Sequence, residues 1–533
     1  MTTSNTVATS RNPVRPLLPA GAGERPLRWH RLADAAFLLL LVAYVLSARR
    51  YVPFHGDEPG LMALSADFFM IANQDNPGEI QFSGEIDRTD RYQRERIATG
   101  AVTPLLLGMT FYFSGVTQDE LPGFWKWGGE LPAQMDRFDF NVSQGNLPGD
   151  HLLLLARTPP TVLFALSIVL VFLITMRLTS NRPASYASSL LYGTTPALLL
   201  NGTRALQEGA MLFFGTLSIL LCLRAVDSET TTGASRAPKA FSYLALGGAA
   251  GVALASKHTN AMVLAALLGA IVVVPWLSPR QMWRDLRRVV WEPVLKASIV
   301  GFTSLAVFFV LSPSWWSWER IVGFAGLSIG AFLLLWGPRQ ARRRFLLGLA
   351  ALSLTGGGFI LVTQWPEIVR PFSVMVEVRQ RLMISQAESS GGIYGRLNRG
   401  FFLIEQAFFG PPQYFETSDW GEYPTIREQI DTFEATLFDG LPPSIPLGVA
   451  LMGLSALGGW VVLRQRDHRA ALLVLFWLAI PALVLFIANP LPWQRYYIGL
   501  QPPLAVLVGV GFARLGESVA ETVRARRLRI APG

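Results

Sequence analysis

Residues 31–60 read RLADAAFLLLLVAYVLSARRYVPFHGDEPG. An apolar run of helix length, 31–49, passes directly into Tyr51–Gly60, and Asp57 and Glu58 stand just beyond its end. About 20 apolar residues, at about 1.5 Å per helical residue, match the ~30 Å hydrocarbon core of a bilayer. A bare carboxylate pair at the mouth of such a helix is costly unless water, a metal ion or a reacting group meets it there. This one stretch therefore speaks for a membrane fold and marks a candidate site.

Working outward, the apolar pattern recurs at roughly 31–49, 153–176, 184–201, 206–225, 240–255, 259–277, 294–311, 321–336, 345–364, 444–463, 470–488 and 497–513. The expectation is an all-α polytopic membrane protein with about 12 transmembrane helices. Composition agrees, with 51% hydrophobic and 16% charged residues and a mean hydropathy of +0.35. The net charge of +9 raises the question of nucleic acid, but the arginines fall mainly in short loops between apolar runs. That is how positive-inside topology signals are distributed, so no nucleic-acid partner is expected. The single cysteine, Cys222, lies within an apolar run and has no intrachain disulfide partner, and no Cys/His metal spacing occurs. A polar stretch of about 30 residues precedes the first run and no small-residue cleavage site follows it, so no cleavable signal is expected.

Loop charge sets the orientation. One set of loops carries Arg177/Arg182, Arg224/Arg236/Lys239, Arg280/Arg284/Arg287/Arg288, Arg339/Arg342/Arg343/Arg344 and Arg464/Arg466/Arg469. The other holds mostly single basic residues, Arg204, Lys257, Arg320 and Arg495. This predicts a multi-pass protein of the plasma (inner) membrane with both termini cytoplasmic and Asp57 on the outer, periplasmic face. The expected organisation is a cytoplasmic tail 1–30, a transmembrane catalytic module 31–364 that includes an outer loop 50–152, and a second outer lobe 365–443. C-terminal transmembrane helices 444–513 and a cytoplasmic tail 514–533 follow. Val102–Phe113 is too short to span and reads as an interfacial or re-entrant helix. The Trp315–Trp316–Trp318 cluster reads as an interfacial aromatic belt. Tyr414, Trp420 and Tyr423 read as packing residues of the second lobe.

On this topology several separate segments bring ionisable groups to one depth on one face: Asp57 and Glu58, Arg157, Arg204 and Glu208, Lys257 and His258, and Arg495. Snorkelling accounts for a lone Arg or Lys at an interface. It does not account for Asp57, Glu58 and Glu208, whose stems are short. The residue types suit group transfer from a lipid-linked phosphate. Cations hold the phosphate as it leaves, and Arg grips it bidentately. A carboxylate takes the proton of an acceptor hydroxyl as that oxygen attacks the anomeric carbon of a sugar, inverting it. Two other readings share some of these features. A twelve-span secondary transporter would show two related halves with polar groups near the bilayer midplane; no repeat is visible, and the polar groups lie at the rim. A membrane glycan polymerase or ligase with a diphosphate-linked donor would share the basic cluster but has no need for the Asp57–Glu58 position.

Five motifs carry a family resemblance: FHGDEP at 54–59, ARTPP at 156–160, TPALLLNGTRALQEG at 195–209, GVALASKHT at 251–259 and WQRYYIGLQPP at 493–503. In this order the chain, over about 30–513, resembles the GT-C membrane glycosyltransferases. The likeness is to the protein O-mannosyltransferase-like branch and the lipid A aminoarabinose transferases, which depend on a phospholipid carrier. The resemblance implies a GT-C fold, with Asp57 as catalytic base and Glu58 orienting the acceptor or a metal. It implies Arg157, Lys257 and Arg495 as donor-phosphate contacts, and Arg204, Glu208 and His258 as a second polar cluster. The implied donor is a polyprenyl-phosphate sugar reached from membrane lipid, and the acceptor is a hydroxyl of a lipid, glycan or protein. No cofactor is implied as obligatory; the oxygens of Asp57, Glu58 and Glu208 would suit one hard divalent cation, Mg or Mn. The second cluster departs from the pattern, with Gln207–Glu208 where many relatives carry an Asp. The long C-terminal sugar-binding repeats of eukaryotic protein mannosyltransferases do not follow the last span, which shifts the expectation toward lipid or glycan acceptors.

Overall fold

A computed structural model describes residues 27–74, 77–82, 90–127, 136–230, 236–273, 286–336, 342–389, 396–416, 423–464, 468–489 and 491–530. Among these residues the chain is helical, with no strand. Arg280, Arg284, Arg339, Arg466 and Trp420 lie outside the described residues, as do 83–89 and 391–395 of the two long inter-span segments.

Nine helices among the described residues are long and apolar enough to cross a membrane, and the protein is an integral membrane protein. Three of the twelve runs form shorter or broken helices. The 184–201 run divides into Arg182–Gly193 and Pro196–Thr203. Pro196 forces the residue before it out of the helical region, and Thr195 accordingly adopts φ −68° and ψ 120°. Pro196 then starts the second piece from the first turn, where its missing N–H costs nothing. The 240–255 and 259–277 runs form Arg236–Ser256 and Ala261–Val273, joined by a single 3₁₀ turn at His258–Asn260.

The packing brings the beginning and end of the chain together. Asp150–Thr179 is central: Leu27–Ala48, Arg182–Gly193 and Glu208–Thr230 pack on it, and the last helix, Gln501–Ile530, returns to lie against it. The last helix also packs on Ile445–Arg464, while Trp318–Trp336 and Arg343–Thr363 form a hairpin against Leu286–Leu311. The main core joins Leu41 and Val45 to Phe164, Ile168, Leu198 and Val506. Trp315 is 1% exposed and packs among Phe308, Phe309 and Phe372, so it belongs to a core and not to an aromatic belt. Trp318 is exposed.

The 365–443 segment contains Trp365–Ser389, Arg396–Ile404 and Pro424–Glu434. Its Ile426 and Ile430 pack against Phe54 and Trp125 of the 50–152 segment. The two long inter-span segments are thus one packed layer at the end of the bundle where Asp57 lies.

Close approach of the last helix depends on glycine. A Cβ on Gly509 would stand 1.8 Å from Ser188 Oγ, and one on Gly511 would stand 2.1 Å from the Leu454 carbonyl oxygen. Two residues apart on a helix point to opposite sides, so the pair lets this helix sit between two neighbours. Small residues are the usual means of tight helix contact in a bilayer. Gly511→Val is expected to cost at least about 2 kcal/mol through overpacking against a backbone that cannot yield. Thermal melting of purified protein checks it, and an unchanged midpoint would contradict the close packing.

Candidate active site

The site is assembled at helix ends. Asp57 and Glu58 follow the first span, Arg157 lies in the second turn of Asp150–Thr179, and Glu208 opens Glu208–Thr230. Lys257 follows Arg236–Ser256, and Arg495 sits in the short helix Gln494–Tyr497 before the last helix. All are at the same end of the bundle.

Pro59 starts the helix Glu58–Leu64, which puts both carboxylates at its first turn, where helix ends favour negative charge. The two then go to different environments. Glu58 is 0% exposed and is gripped by Arg157 through Nε to Oε1 and Nη2 to Oε2, each 2.8 Å. The backbone N–H of Ala205 donates to Oε1 at 2.8 Å, and that of His55 donates to Oε2 at 2.9 Å. A carboxylate has about four lone-pair positions, and these four donors use them. Arg157 is equally committed, donating also to the carbonyl oxygens of Val52 at 2.7 Å, Arg49 at 3.3 Å and Pro53 at 3.4 Å. Arg204 donates to Pro53 at 3.2 Å and to Tyr414 at 2.9 Å, which ties the turn before Asp57 to the 365–443 segment.

Asp57 is 33% exposed in its side chain and pairs with Arg495, Nη1 to Oδ2, at 2.5 Å. Arg495 Nε also lies 3.0 Å from Glu416 Oε1 as an ion pair, and Glu416 Oε2 lies 2.8 Å from His55 Nε2. The Asp57 backbone N–H donates to His55 Nδ1 at 3.1 Å. This pattern assigns the ring proton to Nε2, where it is donated to Glu416. His55, Glu416, Arg495 and Asp57 thus form a closed ring of three hydrogen bonds and one ion pair.

The second cluster lies next to it. Lys257 Nζ meets Glu208 Oε1 at 2.5 Å, and both residues are buried. The Tyr496 ring lies between the two clusters, 6.0 Å from Lys257 Nζ and 5.8 Å from the Arg495 guanidinium carbon. Gly209 lets the helix that Glu208 opens lie close against Asp150–Thr179, since a Cβ there would stand 2.1 Å from the Pro160 carbonyl oxygen. His258 turns the other way, edge-on to Phe308 and Trp315.

Burial raises the carboxyls of Asp57, Glu58 and Glu416, but neighbouring cations outweigh it and hold all three below the usual carboxylate range. Arg495 leads this for Asp57 and Glu416, and Arg157 for Glu58. Burial lowers the Lys257 ammonium, with Glu208 opposing.

Of the residues singled out in the sequence, Asp57, Glu58, Arg157, Arg204 and Arg495 converge on one hydrogen-bonded site, and Lys257 and Glu208 adjoin it as a pair. The three carboxylates suggested for a divalent cation are each tied to a different cation, Asp57 to Arg495, Glu58 to Arg157 and Glu208 to Lys257. They do not form a ligand set here, and among the described residues no group of three His, Cys, Asp or Glu is placed to hold a metal. Sequence reasoning missed Glu416, the use of His55, and Arg379, whose charge bears on both Lys257 and Tyr496. His55 stood inside the quoted motif. Nothing local marks Glu416, 361 residues further on.

Glu58→Gln puts an amide N–H₂ against donors and unpairs a buried guanidinium. The expected cost is about 3 kcal/mol or more, read as a lower thermal midpoint; a melt like that of the native protein would contradict the fourfold grip. Stability should also follow pH in a stated direction. Carboxyls lowered in the folded state contribute stability that is present above the unfolded value of about 4 and is lost as pH falls through the lower folded values. The thermal midpoint is expected to hold from about pH 8 to about pH 5 and to drop below about pH 4.

Residues 122–319 match the profile of the family described as dolichyl-phosphate-mannose-protein mannosyltransferase. No curated protein matches the chain by sequence. Among solved structures, the archaeal oligosaccharyltransferase AglB from Archaeoglobus fulgidus, in complex with an inhibitory peptide and a dolichol-phosphate, is 13% identical with a TM-score of 0.49. That alignment covers 95% of this chain and 52% of the other. The Archaeoglobus fulgidus enzyme in complex with Zn and sulfate aligns at 13% identity over 93% of this chain and 52% of that one, with a TM-score of 0.46. ArnT from Cupriavidus metallidurans bound to undecaprenyl phosphate is 14% identical over 95% of this chain and 81% of that one, with a TM-score of 0.32. The chain spans about half the length of the archaeal enzyme. The family match takes in Arg157, Arg204, Glu208 and Lys257 and leaves out Asp57, Glu58, Glu416 and Arg495.

Proposed function

We propose that the protein moves a sugar from a polyprenyl-phosphate donor to the hydroxyl of a lipid, glycan or protein acceptor on the outer face of the membrane, with inversion at the anomeric carbon. The observation that carries this is the contrast between neighbouring carboxylates. The Asp57 side chain is 33% exposed, against 0% for Glu58, 4% for Glu208 and 14% for Glu416. Asp57 is the one of these four that an acceptor can reach, and it lies against a cation suited to phosphate. The family profile supports the donor class, since its description names a polyprenyl-type phosphate mannose.

The transfer runs as follows. The acceptor hydroxyl gives its proton to an Asp57 carboxylate oxygen as its own oxygen bonds to the anomeric carbon. The bond from that carbon to the phosphate oxygen breaks, its electron pair stays on oxygen, and polyprenyl phosphate leaves. Arg495 and Lys257 offset the charge that develops on the leaving phosphate. Glu58 and Arg157 hold the turn that carries Asp57 and act as positioning residues. Arg204 and Glu208 complete the frame, and His258 packs behind it.

The test uses purified protein in nanodiscs with radiolabelled polyprenyl-phosphate sugars and an envelope extract as acceptor. Asp57→Asn is expected to lower turnover about 100- to 10,000-fold, as loss of a general base does, with the fold intact by thermal melting. Turnover near the native rate would remove Asp57 from this role. The anomeric configuration of the product, read by NMR, is expected to be opposite to the donor's, and retention would contradict direct displacement.

A further inference from the structure

The ring around Arg495 holds one guanidinium between two carboxylates. Nε faces Glu416 at 3.0 Å, and Nη1 faces Asp57 at 2.5 Å. Glu416 is itself held by buried His55 at 2.8 Å, and His55 is pinned by the Asp57 backbone N–H. The Glu416 side of the guanidinium is therefore anchored, whereas the Asp57 side chain is the exposed end of the ring. Resting on the function proposed above, we infer that Glu416 is a positioning residue that keeps Arg495 by Nε while its Nη edge is exchanged, Asp57 holding that edge until the donor phosphate takes it.

The chemistry of the groups supports this exchange. Two carboxylates on one guanidinium leave no net positive charge to offer an anion. An incoming phosphate presents the same paired oxygens as a carboxylate and suits the same fork. Because Nε is spoken for by an anchored partner, the Nη edge is where one anion can replace another. Asp57 loses its cation at the moment the donor is seated, and a carboxylate without its cation is the better base. The groups in contact with Asp57 are Arg495 and His55, and Glu95, Glu416 and Tyr496 are near enough to interact with it electrostatically. None of the others offers Asp57 a guanidinium in exchange. Donor binding thus precedes activation of the acceptor hydroxyl.

Competition for one cation predicts a gain on removing Asp57 that depends on Arg495. The probe is C55 polyprenyl phosphate without sugar, and the readout is its affinity for purified protein in nanodiscs. Asp57→Asn removes the competitor and is expected to tighten binding about fivefold or more, although the same variant is expected to be slowed in transfer. Arg495→Gln is expected to weaken binding about tenfold or more, and in that background Asp57→Asn is expected to give no gain. Arg495→Lys, which keeps the charge and loses the fork, serves the same arm if Arg495→Gln does not fold. An equal gain in both backgrounds would mean plain repulsion between Asp57 and phosphate, and would overturn the exchange. Unchanged or weaker binding by Asp57→Asn would overturn it too. For the anchor, folded Glu416→Gln is expected to lose turnover about tenfold or more, with part recovered by Glu416→Asp; native turnover in folded Glu416→Gln would remove the positioning role. Absence of binding by the native protein would overturn the donor class itself and this inference with it, whereas native binding with an equal gain in both backgrounds overturns the exchange alone.

Discussion

Glu58 is a fully buried carboxylate whose four hydrogen bonds come from three separate parts of the chain: its own turn, Arg157 and Ala205. A buried charge is tolerable only when it is paired and its remaining lone pairs are met. The arrangement therefore holds only once the first span, the Asp150–Thr179 helix and the 204–207 turn have all arrived. Arg157 and Arg204 extend the constraint by taking the carbonyls of Val52 and Pro53. That fixes the backbone immediately before Asp57, so the next carboxylate in the chain has its direction set for it.

Adjacent residues of like charge thereby come to differ in kind. Glu58 is satisfied by the protein and has no oxygen to spare. Asp57 has one cation, an exposed side chain and a neighbour pinned in place. Pairs of carboxylates with opposed surroundings are a recurrent way for a site to separate a structural or electrostatic duty from a proton-transfer one. Here the difference in surroundings arises from packing alone. The helix that begins at Glu58 turns one side chain inward to Arg157 and leaves the other at the rim with Arg495.

The membrane fold was legible because hydropathy over about 20 residues is a strong signal, and the order of five short motifs carried the resemblance to the GT-C glycosyltransferases. The number of spans was not. A hydropathy window runs across Thr194–Pro196 without registering that proline breaks the helix there, and it does not say that Arg236–Ser256 and Ala261–Val273 meet in a sharp turn. For the site, the motifs pointed to charged residues that gather at one end of the bundle, but not to the partner of each. Arg157 at a helix end reads equally as a phosphate ligand or as a carboxylate's mate, and only the fold shows that its donors face Glu58 and three carbonyls. Glu416 sits in a stretch, PPQYFE, with no periodicity or motif. It reaches the site because Ile426 and Ile430 pack on Phe54 and Trp125, and long-range packing of that kind leaves no local trace.

In the function proposed here, the rim between Asp57 and Arg495 is where a lipid phosphate is received. The most direct test is a cryo-electron microscopy structure of the protein in nanodiscs with C55 polyprenyl phosphate bound. Phosphate oxygens are expected within hydrogen-bond reach of the Arg495 Nη edge, with Asp57 parted from it, Glu416 still on Nε and Glu58–Arg157 unchanged. Phosphate bound elsewhere, with the Asp57–Arg495 pair closed as it is here, would contradict it.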